Sequence, residues 1–194
     1  MTIQERINKS IIGRLAIFGD EESDLLYYCT AIEGNHLEIG CLWGGTAIFV
    51  ALAKGMENVL GDVYTIDSMD TDFWINGDPA VGLEVPTLEK VYKNLDKFEV
   101  RDRVHVIRAK SAPLPIPGCW EFSSALIDGG HSYQACYQDW LNVKAHKPKY
   151  VLFHDYDSGH PGVQQAVDKV KESEREYELF EQAGTMVALR RKDA

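Results

Sequence analysis

Five short β-type runs punctuate the chain, with helical stretches between them, and this alternation restricts the fold more than any other feature. The runs are "HLEIG" (36–40), "DVYTIDS" (62–68), "RVHVIRA" (103–109), "SALIDG" (124–129) and "YVLFHDY" (150–156). Helices are expected near 45–55, 84–98, 132–146 and 161–175. Alternation of this kind builds βα units, in which helical crossovers make the strands parallel and cover the sheet faces. The end of the chain departs from the pattern. "YELFEQ" and "TMVALRR" flank Ala183-Gly184 with no helix between them, which predicts an antiparallel pair. No repeat, low-complexity tract or linker divides the 194 residues, so one domain over 1–194 is expected, with a helical lead-in over 1–34 and the α/β core over 35–194.

Charge narrows the partners. With 20 Lys+Arg against 30 Asp+Glu, the net charge of −10 repels a phosphate backbone unless the bases cluster. The densest basic stretch, "RDRVHVIRAK", alternates charges with apolar residues as a half-exposed strand does. Nucleic acid is therefore not an expected partner. "MTIQERINKS" lacks the apolar region of a signal peptide, and no run approaches the ~18 apolar residues of a membrane span. The expectation is a cytoplasmic protein without membrane contact. Cys29, Cys41, Cys119 and Cys136 form no C-x-x-C pair and read as buried reduced thiols.

Within "HLEIGCLWGGTAIFVALA" (36–53), glycines and an acid interrupt an apolar run. A dinucleotide fingerprint, G-x-G-x-x-G, uses its middle glycine to let backbone approach a pyrophosphate. Here those positions are Gly40, Leu42 and Gly45, and leucine crowds a pyrophosphate. The turn suits a ligand that uses a helix N-terminus without a diphosphate, and S-adenosylmethionine meets that description. Its carboxylate can sit on the amides of Gly44, Gly45 and Thr46, and its ammonium can face Glu38. Asp67, ending the second run, is placed to accept ribose hydroxyls, a feature that nicotinamide enzymes share. A purely structural strand-to-helix turn remains the alternative.

"EIGCLWGGTAIFVALA", "IDSMD", "VRDRVHVIRAKSAPLP", "LIDGGHSYQACYQDW", "VLFHDYD" and "GVQQAVDKV" resemble, in order and spacing, the class I methyltransferases of the macrocin and catechol O-methyltransferase-like group. The resemblance spans roughly 35–170. It implies a seven-stranded Rossmann-like sheet, mostly parallel with an antiparallel C-terminal strand and helices on both faces. It also implies S-adenosylmethionine as methyl donor and often a divalent cation such as Mg²⁺ at the acceptor hydroxyl. Glu38, Gly40, Asp67 and Asp128 would then hold the cofactor, with Ser111 near its adenine.

In such a fold Asp128 and Asp155 end neighbouring strands, about 4.8 Å apart, so both carboxylates face one crevice. Two acids there suggest a cation site or a general base with an electrostatic partner. By resemblance the metal ligands are Asp128, His154 and Asp155. His154 stands where an oxygen ligand is common, which weakens the case for Mg²⁺ or favours a softer ion. His154 can equally orient Asp155. Asp128 and His131 are the candidate catalytic residues, with His131 as general base. His36, His105 and His146 read as structural, and His160 has no assigned role. Residues 69–86, including Phe73 and Trp74, form a lid candidate, and "SAPLPIPGCW" (111–120) an opposite wall that its prolines keep from being helical. Leu25, Leu26, Tyr27 and Tyr28 suit either a core face or a homo-oligomer contact.

The function expected is S-adenosylmethionine-dependent, metal-assisted methylation of a hydroxyl on a small-molecule acceptor. A nicotinamide-dependent oxidoreductase and a non-catalytic nucleoside-binding module are the alternatives, the first disfavoured by Leu42 and the terminal hairpin.

Overall fold

A computed structural model describes residues 18–69 and 86–192. Most of the lid candidate, including Phe73 and Trp74, and the lead-in before Phe18 lie outside the described residues. The elements run α1 (Asp20–Thr30), β1 (His36–Ile39), α2 (Gly45–Met56), β2 (Val63–Asp67), α3 (Leu88–Lys97), β3 (Val104–Arg108), β4 (Ser124–Ile127), α4 (Tyr133–Lys144), β5 (Tyr150–Phe153), α5 (Pro161–Ser173), β6 (Tyr177–Ala183) and β7 (Met186–Arg191).

The seven strands form one sheet in the order β3-β2-β1-β4-β5-β7-β6. Strands β1 to β5 pair in parallel, whereas β7 is antiparallel to both β5 and β6. β1, β4 and β5 are buried along their whole length, as central strands are when helices cover both sheet faces, and His36, Glu38 and Ser124 are buried there among apolar neighbours. One apolar layer joins α1, α2 and α3 to the sheet through Leu26, Ile48, Phe49 and Leu95. The other joins α4 and α5 through Trp140, Val143, Val163 and Val167.

Register places the chemistry. Ile39 lies opposite both Ile66 and Ile127, and Ile127 opposite Phe153. One residue further on, Asp67, Gly40, Asp128 and His154 therefore stand in a row along the carboxyl edge of β2, β1, β4 and β5. The backbone bonds continue through this row, with Gly40 N–H donating to Ile66 O, Asp128 N–H to Ile39 O and His154 N–H to Ile127 O. At Gly40, φ is +97° and a Cβ would lie 1.9 Å from the carbonyl oxygen of Asp128, so only glycine lets β1 and β4 end this close together.

Two readings of the sequence need adjustment. Cys119 is exposed while the other three cysteines are buried, because it sits in the proline-interrupted segment that forms no element. Leu25 and Leu26 belong to the core, but Tyr28 lies exposed and stacks on Phe180 of β6, with ring centroids 5.4 Å apart. No helix among the described residues is long and apolar enough to cross a membrane.

Candidate active site

The turn after β1 is held from the next strand. Asp67 Oδ2 accepts the amides of Cys41 (2.8 Å) and Leu42 (3.2 Å), and its Oδ1 accepts that of Met69 (2.7 Å). Asp67, read from the sequence as a ribose ligand, thus first of all fastens the turn. A carboxylate offers about four acceptor positions, so capacity for a ligand hydroxyl remains. Leu42 adopts φ +48° and Gly44 φ +82°, two left-handed residues that swing the chain into α2. Gly44 is the N-cap of that helix and no side chain caps it. The first-turn amides of Gly45 and Thr46 are thus suited to an anion carried by a ligand.

Glu38 is buried in β1, and its Oε2 has no hydrogen-bond partner. Burial first, then the charges of Asp128 and Asp67, hold its carboxyl well above the usual range. An orphaned acid between two others is what a cationic group would relieve. Ser111 lies at the mouth of the same edge. Its carbonyl accepts from Asn142 Nδ2 at 2.9 Å, and its side chain bonds to buried Asp139, whose carboxyl burial pushes up to about 6.

Across the crevice, His154 is enclosed by carboxylates. Its Nδ1 lies 3.3 Å from Asp128 Oδ1 and 3.4 Å from Asp155 Oδ1, and its Nε2 lies 3.9 Å from Glu22 Oε2, an ion-pair distance rather than a hydrogen bond. Burial opposes charge on this imidazole, but the acids overcome it and raise its pKa to about 12. Asp155 is correspondingly pulled well below the carboxylate range by His131 and His154 against its own burial. It takes φ +61°, a left-handed conformation that aspartate tolerates at a small cost. This twist brings Asp155 Oδ2 to 3.1 Å from His131 Nε2.

Asp128, His154 and Asp155 each bring a potential ligand atom within 4.8 Å of the others. His154 Nδ1 faces Asp128 and Asp155 and its Nε2 faces Glu22, so the charged imidazole bridges the acids and would have to release a proton before serving as a ligand.

Glu22 was not legible as part of the site. Besides facing His154, its Oε1 accepts both the amide and the hydroxyl of Thr185, each at 2.7 Å, and its Oε2 accepts the amide of Gly19 at 2.5 Å. The sequence offers only the local signal, a glycine N-cap three residues before a glutamate. The histidines read as structural have structural partners: His36 binds Ser124, His105 binds Asp62 and His146 binds the carbonyl of Trp120.

A family model described as "Methyltransferase domain" matches residues 37–156, from β1 to just past Asp155. The chain belongs to this methyltransferase family. Solved structures share its fold. The O-methyltransferase TomG of Streptomyces achromogenes, in complex with SAM, is 17% identical with a TM-score of 0.62 over 97% of this chain and 87% of that one. An O-methyltransferase of Bacillus cereus in complex with SAH is 15% identical, TM-score 0.62, over 97% and 90%. A putative rRNA methylase of Clostridium thermocellum is 12% identical, TM-score 0.61, over 91% and 100%. A comparison with curated proteins gives no match. In the methyltransferase, Gly40, Glu38, Asp67 and Asp128 gather at one end of the sheet beside the α2 N-terminus, and His131, His154 and Asp155 line the adjoining wall.

Proposed function

We propose that this methyltransferase moves the methyl group of S-adenosylmethionine onto a hydroxyl of a small molecule, with His131 as the proton acceptor. The observation that carries the reading is the 3.1 Å pair of His131 Nε2 and Asp155 Oδ2 at the carboxyl edge, next to a turn with an uncapped helix and an orphaned buried acid. S-adenosylmethionine supplies an electrophilic methyl on a sulfonium. Glu38 would receive its ammonium, the amides of Gly44, Gly45 and Thr46 its carboxylate, and Asp67 its ribose, with Asp128 lining the crevice and Ser111 near the adenine.

The base chemistry follows from orientation. Asp155 accepts the proton on His131 Nε2 and so selects the tautomer in which Nδ1 takes the proton of the acceptor hydroxyl. Its negative charge then stabilises the imidazolium that forms. His154 keeps Asp128 and Asp155 from repelling each other across the crevice. Asp128, His154 and Asp155 are the residues that would hold a divalent ion at the acceptor hydroxyl, where it would lower the pKa of that hydroxyl.

The acidic surface, net charge −10, favours a small acceptor over RNA, even though one fold neighbour bears an rRNA-methylase name. Calorimetry against S-adenosylhomocysteine and NADH tests the cofactor. Tight NADH binding without the homocysteine would reject it. A screen of phenols, sugars and polyketide hydroxyls with labelled S-adenosylmethionine then tests the acceptor class. In any turnover found, His131→Gln should lower kcat by roughly 10²- to 10⁴-fold with homocysteine affinity kept; unchanged kcat removes His131 from the mechanism.

A further inference from the structure

His160 precedes Pro161 at the start of α5 and takes no part in the reading above, yet the fold carries it to the catalytic wall. Gly162 is the reason. A Cβ there would lie 2.4 Å from the carbonyl oxygen of His131, so the first turn of α5 rests directly on the turn that carries His131. His131 and His160 consequently meet edge to face, with ring centroids 4.6 Å apart. Asp155 stands against both, its Oδ2 3.1 Å from His131 Nε2 and its Oδ1 3.9 Å from His160 Nδ1. Each of the three side chains brings one possible ligand atom within 4.8 Å of the others.

We propose that His131, Asp155 and His160 form a binding site for a first-row transition-metal ion of the Zn²⁺ or Co²⁺ type, in preference to Mg²⁺. Two imidazoles and one carboxylate are a donor set of borderline softness, whereas Mg²⁺ takes oxygens and keeps its waters. Ligands at 2.0–2.1 Å around a tetrahedral ion lie about 3.3–3.4 Å apart, and the three ligand atoms, all within 4.8 Å of one another, reach that spacing by side-chain rotation. The three side chains are 30%, 19% and 25% exposed, against 9% for His154, so an ion can enter from the crevice. Asp157 Oδ1 lies 3.1 Å from His160 Nδ1 while accepting the amides of Gly159 and His160, so it orients the ring from that side and the ligand nitrogen of His160 would be Nε2. Three protein ligands leave a fourth position for an exogenous oxygen donor. With an ion bound, His131 serves as a ligand and not as proton acceptor, so the metal-free and metal-loaded proteins would ionise an acceptor in different ways.

The site does not depend on methyl transfer, and its test is binding alone. Titration of the full chain with Co²⁺ should produce the visible absorption of low-coordinate cobalt at one ion per chain. One equivalent of Zn²⁺ should abolish that absorption, and excess Mg²⁺ should leave it. His160→Gln and His131→Gln should each weaken Co²⁺ by at least the roughly 10- to 100-fold that loss of a ligand's supporting partner costs, and Asp128→Asn should change it less than about threefold. Circular dichroism melts and S-adenosylhomocysteine affinity, measured on the same variants, separate loss of fold from loss of ligand. No cobalt absorption overturns the proposal, as does affinity lost in Asp128→Asn but kept in His160→Gln. Cobalt binding without homocysteine binding would sink the methyl-transfer reading and leave this site standing.

Discussion

Replacing Glu22 by Gln removes the charge that joins α1 to His154 and to the β6–β7 turn while keeping the side chain's shape. His154 first, then the Thr185 hydroxyl and the amides of Gly19 and Thr185, hold the Glu22 carboxyl at about 2, against an ordinary 4.5 and against the opposing effect of burial. At ~1.36 kcal/mol per pKa unit, a gap of this size corresponds to about 3 kcal/mol in the folded state's favour, which partial screening at the crevice rim reduces to about 2. The sign is that of a depressed acid: the stabilisation is present above pH 4.5 and is lost as pH falls through about 2. Glu22→Gln should therefore melt about 4–8 °C below the parent at pH 7, as a chain of this size loses ~2–4 °C per kcal/mol. At pH 3 the gap should shrink to less than half. Thermal unfolding followed by circular dichroism at both pH values measures it. An equal gap at the two values, or none at pH 7, would show that the charge of Glu22 does not hold α1 on the sheet.

Three further outcomes follow from the same geometry. Asp139 has its carboxyl raised by burial to about 6, so its contribution favours folding below pH 3.8 and is lost as pH rises through 6; Asp139→Asn should gain roughly 2 kcal/mol at pH 8 over the parent, and urea midpoints that coincide there would refute the burial argument. Gly40→Ala forces a Cβ to within 1.9 Å of the Asp128 carbonyl oxygen at φ +97°, and should cost about 2–5 kcal/mol from left-handed strain plus overpacking; a melt unchanged within a degree would show that the strand ends have room. Glu38→Gln should weaken S-adenosylhomocysteine by roughly 10- to 100-fold through loss of a charge-assisted bond without lowering the melting temperature, and calorimetry showing equal affinity would remove Glu38 from the cofactor site.

Much of the site was legible because its residues sit at the ends of strands, and strand ends follow from local pattern. Glu38, Gly40, Asp67, Asp128 and Asp155 could be named from the alternation of β runs and helices, since four of the five runs, all but "RVHVIRA", carried an acid or a glycine at or near their end. The antiparallel hairpin was legible for the same reason, two β runs joined by Ala183-Gly184 with no room for a helix. Pairing between distant segments was not. Which residue of β5 stands level with Asp128 depends on inter-strand register, and the register puts His154 there and Asp155 one step beyond.

What the sequence determined alone is therefore the succession of elements and the chemistry at their ends, because helix and strand periods are set within a few residues. Only the tertiary structure decided that His154 is shared among Asp128, Asp155 and Glu22, that Asp67 fastens the first turn, and that His160 meets His131. Apart from the adjacent pair His154 and Asp155, those contacts join residues 25 to 132 positions apart in the chain, and they depend on close approaches at Gly40 and Gly162. A side chain's long-range neighbours are fixed by how sheet and helices pack, and no local pattern records that.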